Sequence, residues 1–415
     1  MGTPKPFVQT PLGTYLQKNG RFPLVSLHIQ PIDASRSPVV LTQFEEYSFQ
    51  SSVLVPVDSF SFTARNPTLA GSLYDFIRDG DIATLIANGV TVATGLIDTV
   101  TIATDPDSGE MIHISGRTLI AQLEDQSAIN DTDDPIWGNG VTVEQAVNAL
   151  INSTRINFYR LQQAPSGSFL FATEPGESKL SALQRYIEPL NCIVWMDPDG
   201  TIAVGRPDMG ASSTGTFVMD RQNRIANCLS IQASYSSTQI PNVVLPVWTG
   251  QETVQSRVAP EQAIYNKAQG PSRLFKNDHR VPKSVVVSTP SGADPQSLSA
   301  ANQIVVAGSN ILQAYAKREI ARANVHEVGV QVNIQGHYNQ DLTPILVDST
   351  YIINYPRASL NEKMYLHTVA YSLNRTQGQR TSLSFCRLGC IVADAAVRSV
   401  KASTVKQQAS GAQTS

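Results

Sequence analysis

The side chains in this sequence with evident chemical potential are its six histidines, its four cysteines and a few acidic pairs. The histidines are His28, His113, His279, His326, His337 and His367. No two stand as His-x-x-x-His or His-Glu-x-x-His, the spacings that aim two imidazoles from one helix face at a zinc ion. His28, His113 and His367 alternate with apolar neighbours in segments that read as strands, where a solvent-facing or hydrogen-bonded ring is the ordinary reading. Cys192 lies in the apolar run Asn191-Cys-Ile-Val-Trp195 and Cys228 beside Leu229, which are settings for buried free thiols. Cys386 and Cys390 lack nearby histidines, so they do not make a zinc knuckle, and no disulfide framework is expected. There is no Gly-x-Ser-x-Gly elbow and no glycine loop closing on Lys-Ser/Thr to cradle a phosphate.

The acidic stretch Asn130-Asp131-Thr132-Asp133-Asp134 has carboxylates of the kind a hard cation takes. It lacks the glycine and the distal glutamate of an EF-hand loop, and is read as a solvated interdomain loop. Glu45-Glu46, Glu124-Asp125 and Asp133-Asp134 are the pairs a cell-wall hydrolase would draw on. Adjacency in sequence does not set the carboxyl separation that glycoside hydrolysis requires. Lys267, Arg273, Lys276, Arg280 and Lys283 share one polar loop, read as a solvated face in preference to an anion-binding one. A carbohydrate-binding face would need clustered aromatics, and Trp137, Trp195 and Trp248 fall in different segments. The sequence therefore assigns no catalytic, cofactor-binding or metal site, and a non-enzyme is the favoured reading.

A formal net charge of −3 provides no bulk attraction to nucleic acid or to an anionic membrane. A length of 415 residues implies two to four domains. With 26 glycines and 24 prolines, the turns favour a β-rich chain. No apolar run approaches the ~20 residues of a membrane span. Met1-Gly2-Thr3-Pro4-Lys5-Pro6 is not the start of a secretory signal, so synthesis in a cytoplasm is expected.

The elements that would position these groups read as follows. Residues 1–22 form an N-terminal arm. Residues 23–122 carry about seven short alternating strands, with Asn88-Gly89 a favoured two-residue hairpin turn. Residues 123–210 form a small α+β module. There, Thr142-Val-Glu-Gln145 resembles a capping box, a second helix starts at Ser178, and a hairpin turns at Asp197-Pro-Asp-Gly200. Residues 211–293 are strand-like but irregular, with a long polar loop. Residues 294–324 read as a long helix capped at Asp294-Pro295. Strands resume over 325–394, and the tail 395–415 reads as disordered when unbound.

One pattern occurs in both strand-rich regions. Thr99-Val100, Gly109 and Ile114-Ser115 recur as Thr368-Val369, Gly378 and Leu383-Ser384, each offset by 269 positions. In both copies an apolar strand ends in Thr-Val and a polar turn carries the glycine. A repeat at this long period suggests two related β domains.

The order of β block, α+β module, long helix and β block resembles the baseplate hub proteins of contractile-tailed bacteriophages. The likeness is to the Mu-like hub and late control protein D group, relatives of the N-terminal part of VgrG spike proteins. The residues that carry it are Gly80-Asp81-Ile82, Asn88-Gly89 and Thr94-Gly95-Leu96-Ile97-Asp98-Thr99-Val100. They continue through Ser115 to Ala128, Ser178 to Val204, and the helix 295–323 leading into Val328-Gly-Val-Gln-Val332. The segment 235–290 departs from the pattern. The resemblance implies a mainly β chain with two similar antiparallel, tube-like β-barrel domains separated by a small α+β domain and a long helix. It implies a homotrimer that sets six barrels in a ring and joins a six-fold tail tube to a three-fold central spike. The expected partners are the spike, the tail tube protein or its adaptor, and other baseplate proteins. DNA would at most pass through the lumen, and the location would be the virion tail baseplate, assembled in the host cytoplasm. The alternatives are a tail-associated cell-wall hydrolase and a VgrG-like secretion or tailocin spike component.

Overall fold

In the computed structural model the described residues are 25–65, 76–105, 109–129, 137–164, 168–174, 176–220, 222–236, 243–247, 264–265, 284–288, 321–322, 324–325, 327–339, 341–391 and 405–407. The arm 1–22, the acidic stretch 130–134, the basic loop 267–283 and most of the expected helix 294–324 lie outside them. Ala321, Arg322 and Asn324, at the end of that stretch, are helical.

The chain is mainly β, and its main sheet has fourteen strands. Seven come from the first region: β1 (Val25–Gln30), β2 (Val39–Leu41), β3 (Glu46–Ser52), β4 (Ser59–Arg65), β5 (Ile82–Ala87), β6 (Val90–Asp105) and β7 (Gly109–Thr118). They lie in the order β3-β4-β7-β6-β5-β1-β2, every pair antiparallel. A small α+β unit follows, with α1 (Ala121–Asp125), β8 (Trp137–Thr142), α2 (Val143–Ile151), β9 (Phe158–Gln162), β10 (Ser168–Ala172), α3 (Lys179–Ile187), β11 (Ile193–Met196) and β12 (Ile202–Gly205). The remaining seven strands of the main sheet are β13 (Gly215–Asp220), β14 (Ile225–Ala226), β15 (Ser230–Tyr235) and, after β16 (Val243–Val247), β17 (Ile264–Tyr265) and β18 (Ser284–Ser288), the strands β19 (Val328–Gln335), β20 (Ser349–Tyr355), β21 (Leu360–Asn374) and β22 (Gly378–Arg387).

The second seven lie in the order β15-β19-β22-β21-β20-β13-β14, which matches the first block strand for strand. One pairing differs in sense: β13 runs parallel to β20, whereas its counterpart β1 runs antiparallel to β5. The segment 211–293, expected to be irregular, thus contributes β13, β14 and β15 to the large sheet. β14 pairs locally with β13, but β13 and β15 find their partners β20 and β19 roughly a hundred or more residues away, which local periodicity cannot reveal.

The repeated hairpin is β6–β7 in one block and β21–β22 in the other. Thr99 faces Ser115 and Val100 faces Ile114, just as Thr368 faces Ser384 and Val369 faces Leu383. Each register slips once, between Ile97 and Thr99 and between Leu366 and Thr368, so the bulge repeats with the pattern. The turns close on Gly109 (φ 77°) and Gly378 (φ 69°), left-handed conformations that glycine adopts without the Cβ penalty.

One apolar cluster runs through both blocks. It takes Tyr47, Phe49, Phe60 and Phe62 from the first, and Phe217, Tyr351, Tyr371 and Phe385 from the second. Strand alternation sorts these residues inward: β4 buries Phe60, Phe62 and Ala64, and β19 buries Val328, Val330, Val332 and Ile334.

A second cluster holds the α+β unit. Thr142 Oγ1 accepts from the Gln145 amide and the Gln145 side chain accepts from the Thr142 amide, so the capping box starts α2 as the sequence predicts. Ser178 caps α3, whose Leu180, Leu183 and Ile187 are buried. The hairpin β11–β12 sits in a four-stranded sheet with β9 and β23 (Val405–Gln407). Residues 405–407 of the tail pair antiparallel with the edge of β9, whose backbone groups a short strand can satisfy. A third cluster, around Trp195, Met209, Tyr365, Cys386 and Cys390, packs this unit against the second β block.

Candidate functional site

The two β blocks are fused through one strand pair. Over its first half β21 pairs with β20, from Leu360 to Leu366. Beyond the bulge at His367 the same edge pairs with β3 of the first block, from Thr368 opposite Ser52 to Leu373 opposite Tyr47. Ser52 Oγ and Thr368 Oγ1 lie 2.8 Å apart, and the Val53 amide donates to the His367 carbonyl at 2.9 Å. Glu45 closes the end of the junction by pairing with Arg65 at 3.2 Å and with Arg375.

Beneath the junction lies a closed polar chain. Tyr47 Oη is 2.6 Å from His337 Nε2, and His337 Nδ1 is 2.7 Å from Thr381 Oγ1. Thr381 donates its hydroxyl proton to the Gly336 carbonyl, which leaves its oxygen to accept from the imidazole. His337 therefore carries its proton on Nδ1 and accepts from the Tyr47 hydroxyl at Nε2. The ring stacks on Tyr371 with centroids 4.4 Å apart. Burial pushes its pKa down to about 3. A neutral, doubly bonded histidine thus locks strands of both blocks together.

Asp58 is buried beside the same strands. It accepts from the Ser51 hydroxyl (2.9 Å) and the Ser52 amide (2.8 Å), yet desolvation raises its pKa to about 7. The two groups give opposite pH slopes. A carboxyl whose folded pKa lies above its unfolded value adds stability below pH ~4 that is lost as pH rises through about 7. A histidine whose folded pKa is depressed adds stability above pH ~6.5 that is lost as pH falls through about 3. Buried Asp348, pushed up to about 6 by desolvation, adds to the slope of Asp58 and opposes His337 in the same window. Asp58→Asn is therefore expected to gain stability relative to the wild type as pH rises from 4 to 7, by on the order of 4 kcal/mol. Urea midpoints of both proteins measured from pH 4 to 8 check it; a difference between them that stays flat across the window contradicts the assignment.

The outward face of the fused sheet has a distinct chemistry. Residues opposite the core include Ser48, Gln50, Ser61, Thr63, Thr101, Ser115, Ser372, Ser382, Gln331 and Asn333. Several bond to each other across strands, as Gln331 Nε2 does with Ser382 Oγ at 2.9 Å and Asn333 Nδ2 with Ser230 Oγ at 2.9 Å. This is a hydroxyl and amide surface with few charges. It gives a phosphate backbone few cations to grip.

Among the described residues, the groups singled out for chemistry are dispersed, and the acidic ones are held by partners. Glu45 is held by two arginines, and Glu46 accepts from Thr63 Oγ1 at 3.3 Å. Glu124 and Asp125 face Arg117, which also pairs with Asp98. Asp133-Asp134 and Trp248 lie outside the described residues. Trp195 is core, with the Arg160 guanidinium 5.7 Å from its ring centre. Cys192, Cys386 and Cys390 are buried, and burial raises the Cys192 thiol to about 11. No group of three or more His, Cys, Asp or Glu is placed to hold a metal among the described residues. No described helix is long and apolar enough to cross a membrane. The sequence reading missed His337 and Asp58. Only a buried-looking histidine just after the alternating Val328–Gln335 run hinted at the first.

No protein-family model matches the chain, and no curated protein matches it. Solved structures do. A tail protein from Neisseria meningitidis MC58 aligns at a TM-score of 0.70 with 18% identity, over 90% of this chain and 99% of that one. The 43 kDa tail protein of prophage MuSo2 from Shewanella oneidensis aligns at 0.66 with 14% identity, over 88% and 98%. A type VI secretion component of E. coli aligns at 0.51 with 11% identity, over 87% and 76%. It is described as structurally similar to the bacteriophage T4 tail proteins gp27 and gp5. The chain shares the fold of these proteins.

Proposed function

We propose that the chain is a structural component of a phage tail: a trimeric baseplate hub that joins a six-fold tail tube to a three-fold central spike. The observation that carries this reading is the paired architecture. Two seven-strand blocks share one strand order, one hairpin register and one bulge, so one chain offers two near-equivalent positions. Three chains then present six, which is the arithmetic of a three-fold to six-fold adaptor. In this reading each block is a tube-like barrel domain, the α+β unit is an outward support, and the hydroxyl- and amide-rich face of the sheet lines a lumen through which DNA slides. The spike, the tube protein and neighbouring baseplate proteins are its partners, in a virion tail of the contractile type.

The fold shared with two tail proteins over nearly their whole lengths supports a tail role. The weaker likeness to a secretion component supports a second reading, a VgrG-like part of a secretion or tailocin particle, in which the same ring serves a different machine. Native mass spectrometry of the 44.9 kDa chain is the test. A trimer, alone or on adding a trimeric spike, is expected. A monomer at every concentration that ignores the spike would refute the hub.

A further inference from the structure

The intrachain junction is a template with unused halves. In the second block, the part of β21 beyond its bulge is covered by β3. At the matching place in the first block, the part of β6 beyond its bulge, 99–105, has no strand on that edge among the described residues. The complementary half is also left over. β3 carries β21, whereas its counterpart β15 pairs only with β19 among the described residues.

We propose that β6 of one copy pairs antiparallel with β15 of a second copy of this chain, repeating the β3–β21 junction between molecules. The register follows from the two blocks. The offset of 269 carries Thr368–Leu373 onto Thr99–Thr104. Matching the ladder β3–β4–β7 to β15–β19–β22 carries Tyr47–Ser52 onto Ile231–Ser236. Thr99 then faces Ser236, Thr101 faces Ser234 and Thr104 faces Ile231.

Three observations fit this register. Thr99 opposite Ser236 reproduces the hydroxyl pair of Thr368 and Ser52, which lie 2.8 Å apart in the existing junction. Side-chain parity is kept, with Thr101 and Ser234 on the hydroxyl- and amide-rich outer face and Ile102 and Tyr235 on the core side. Exposure marks the missing cover: Tyr371 is 2% exposed under the junction, while its counterpart Ile102 is 38% exposed and Tyr235 is 36% exposed. Two strand edges with backbone groups to satisfy and apolar residues to bury are mutual templates. The contact is heterologous, so each copy offers one half to each neighbour, and with the three copies of the hub reading such contacts would close into a ring. The inference rests on the hub reading for the number of copies, and on the strand order alone for the contact.

The test is a disulfide formed only between molecules. Full-length Thr101→Cys and Ser234→Cys variants carrying different tags are co-expressed and mildly oxidised, since directly opposed antiparallel residues come close enough to be bridged. A linked product bearing both tags is expected, at least fivefold above either variant alone and above Thr101→Cys with Gln232→Cys, which is two residues out of register. Ile102→Lys is expected to shift the native mass distribution toward monomer with the melting temperature of the monomer unchanged. A trimer that gives no preferential link at the predicted pair, and that Ile102→Lys leaves intact, overturns this contact and leaves the hub standing. A strict monomer overturns both.

Discussion

Gly116→Ala is expected to destabilise the chain by about 3 kcal/mol, the upper range for forcing a methyl group into a filled core. A Cβ at this position would lie 2.1 Å from the Leu96 carbonyl oxygen and 2.4 Å from the Phe60 ring. Gly95 on the neighbouring strand is equally closed, with the Arg117 carbonyl oxygen 2.2 Å away. The Phe60 ring lies against both glycines, and the other block solves the same site in reverse. There Val330 takes the place of Phe60, facing Phe385 where Phe60 faces Gly116, and Met364 stands for Gly95. Large and small have changed partners while the layer stays filled, which is the volume-conserving exchange that packed cores tolerate. Because the nearest obstacle is backbone, Phe60→Val is not expected to rescue Gly116→Ala. Urea midpoints of both single variants and the double check this. A double variant restored to the stability of Phe60→Val alone would show that the ring, and not the Leu96 carbonyl, sets the cost.

Trp195→Ala is expected to cost about 4 kcal/mol, within the range for removing a large buried aromatic. Trp195 is 1% exposed and among the largest fully buried side chains of the described residues. Its cluster contains Val53 of the first block, Met209, and Tyr365 and Cys386 of the second, so its loss opens a cavity where the α+β unit meets the sheet. Tyr365 is tied there as well, donating to Asp348 Oδ1 at 2.9 Å, while the Asp208 amide donates to the same oxygen at 3.2 Å. Removing the indole therefore loosens a seam and not one domain alone. Thermal unfolding of Trp195→Ala is expected to separate into two transitions, as uncoupled domains unfold independently. Trp195→Phe, which keeps most of the apolar volume, is expected to retain a single transition. A single, lowered transition in Trp195→Ala would contradict the seam.

Much of this architecture is legible along the chain because it is local. The capping box at Thr142 and Gln145, the cap at Ser178, and the glycine turns at Gly109 and Gly378 each depend on residues within a few positions of one another. The alternation in Val328–Gln335 announces its buried face without knowledge of its neighbours. The Thr-Val and Gly repeat also survives as sequence, because a bulged hairpin with a left-handed turn constrains the same positions in both copies.

The pairing of strands is not legible in this way. Nothing near Gly215 or Ser230 indicates that these segments complete the second block. Nothing near Tyr47 indicates a hydroxyl bonded to His337, 290 positions away. Backbone ladders are chemically alike in every strand, so which edges meet depends on how the whole set of apolar faces closes over one core. The sequence by itself determined the β class, the hairpin and its second copy, and the lack of a clustered reactive motif. Tertiary structure alone decided that the two copies share a strand order, that β3 locks them through β21, and that matching edges of β6 and β15 carry no strand among the described residues, because non-local strand pairing satisfies the backbone only once the entire sheet is assembled.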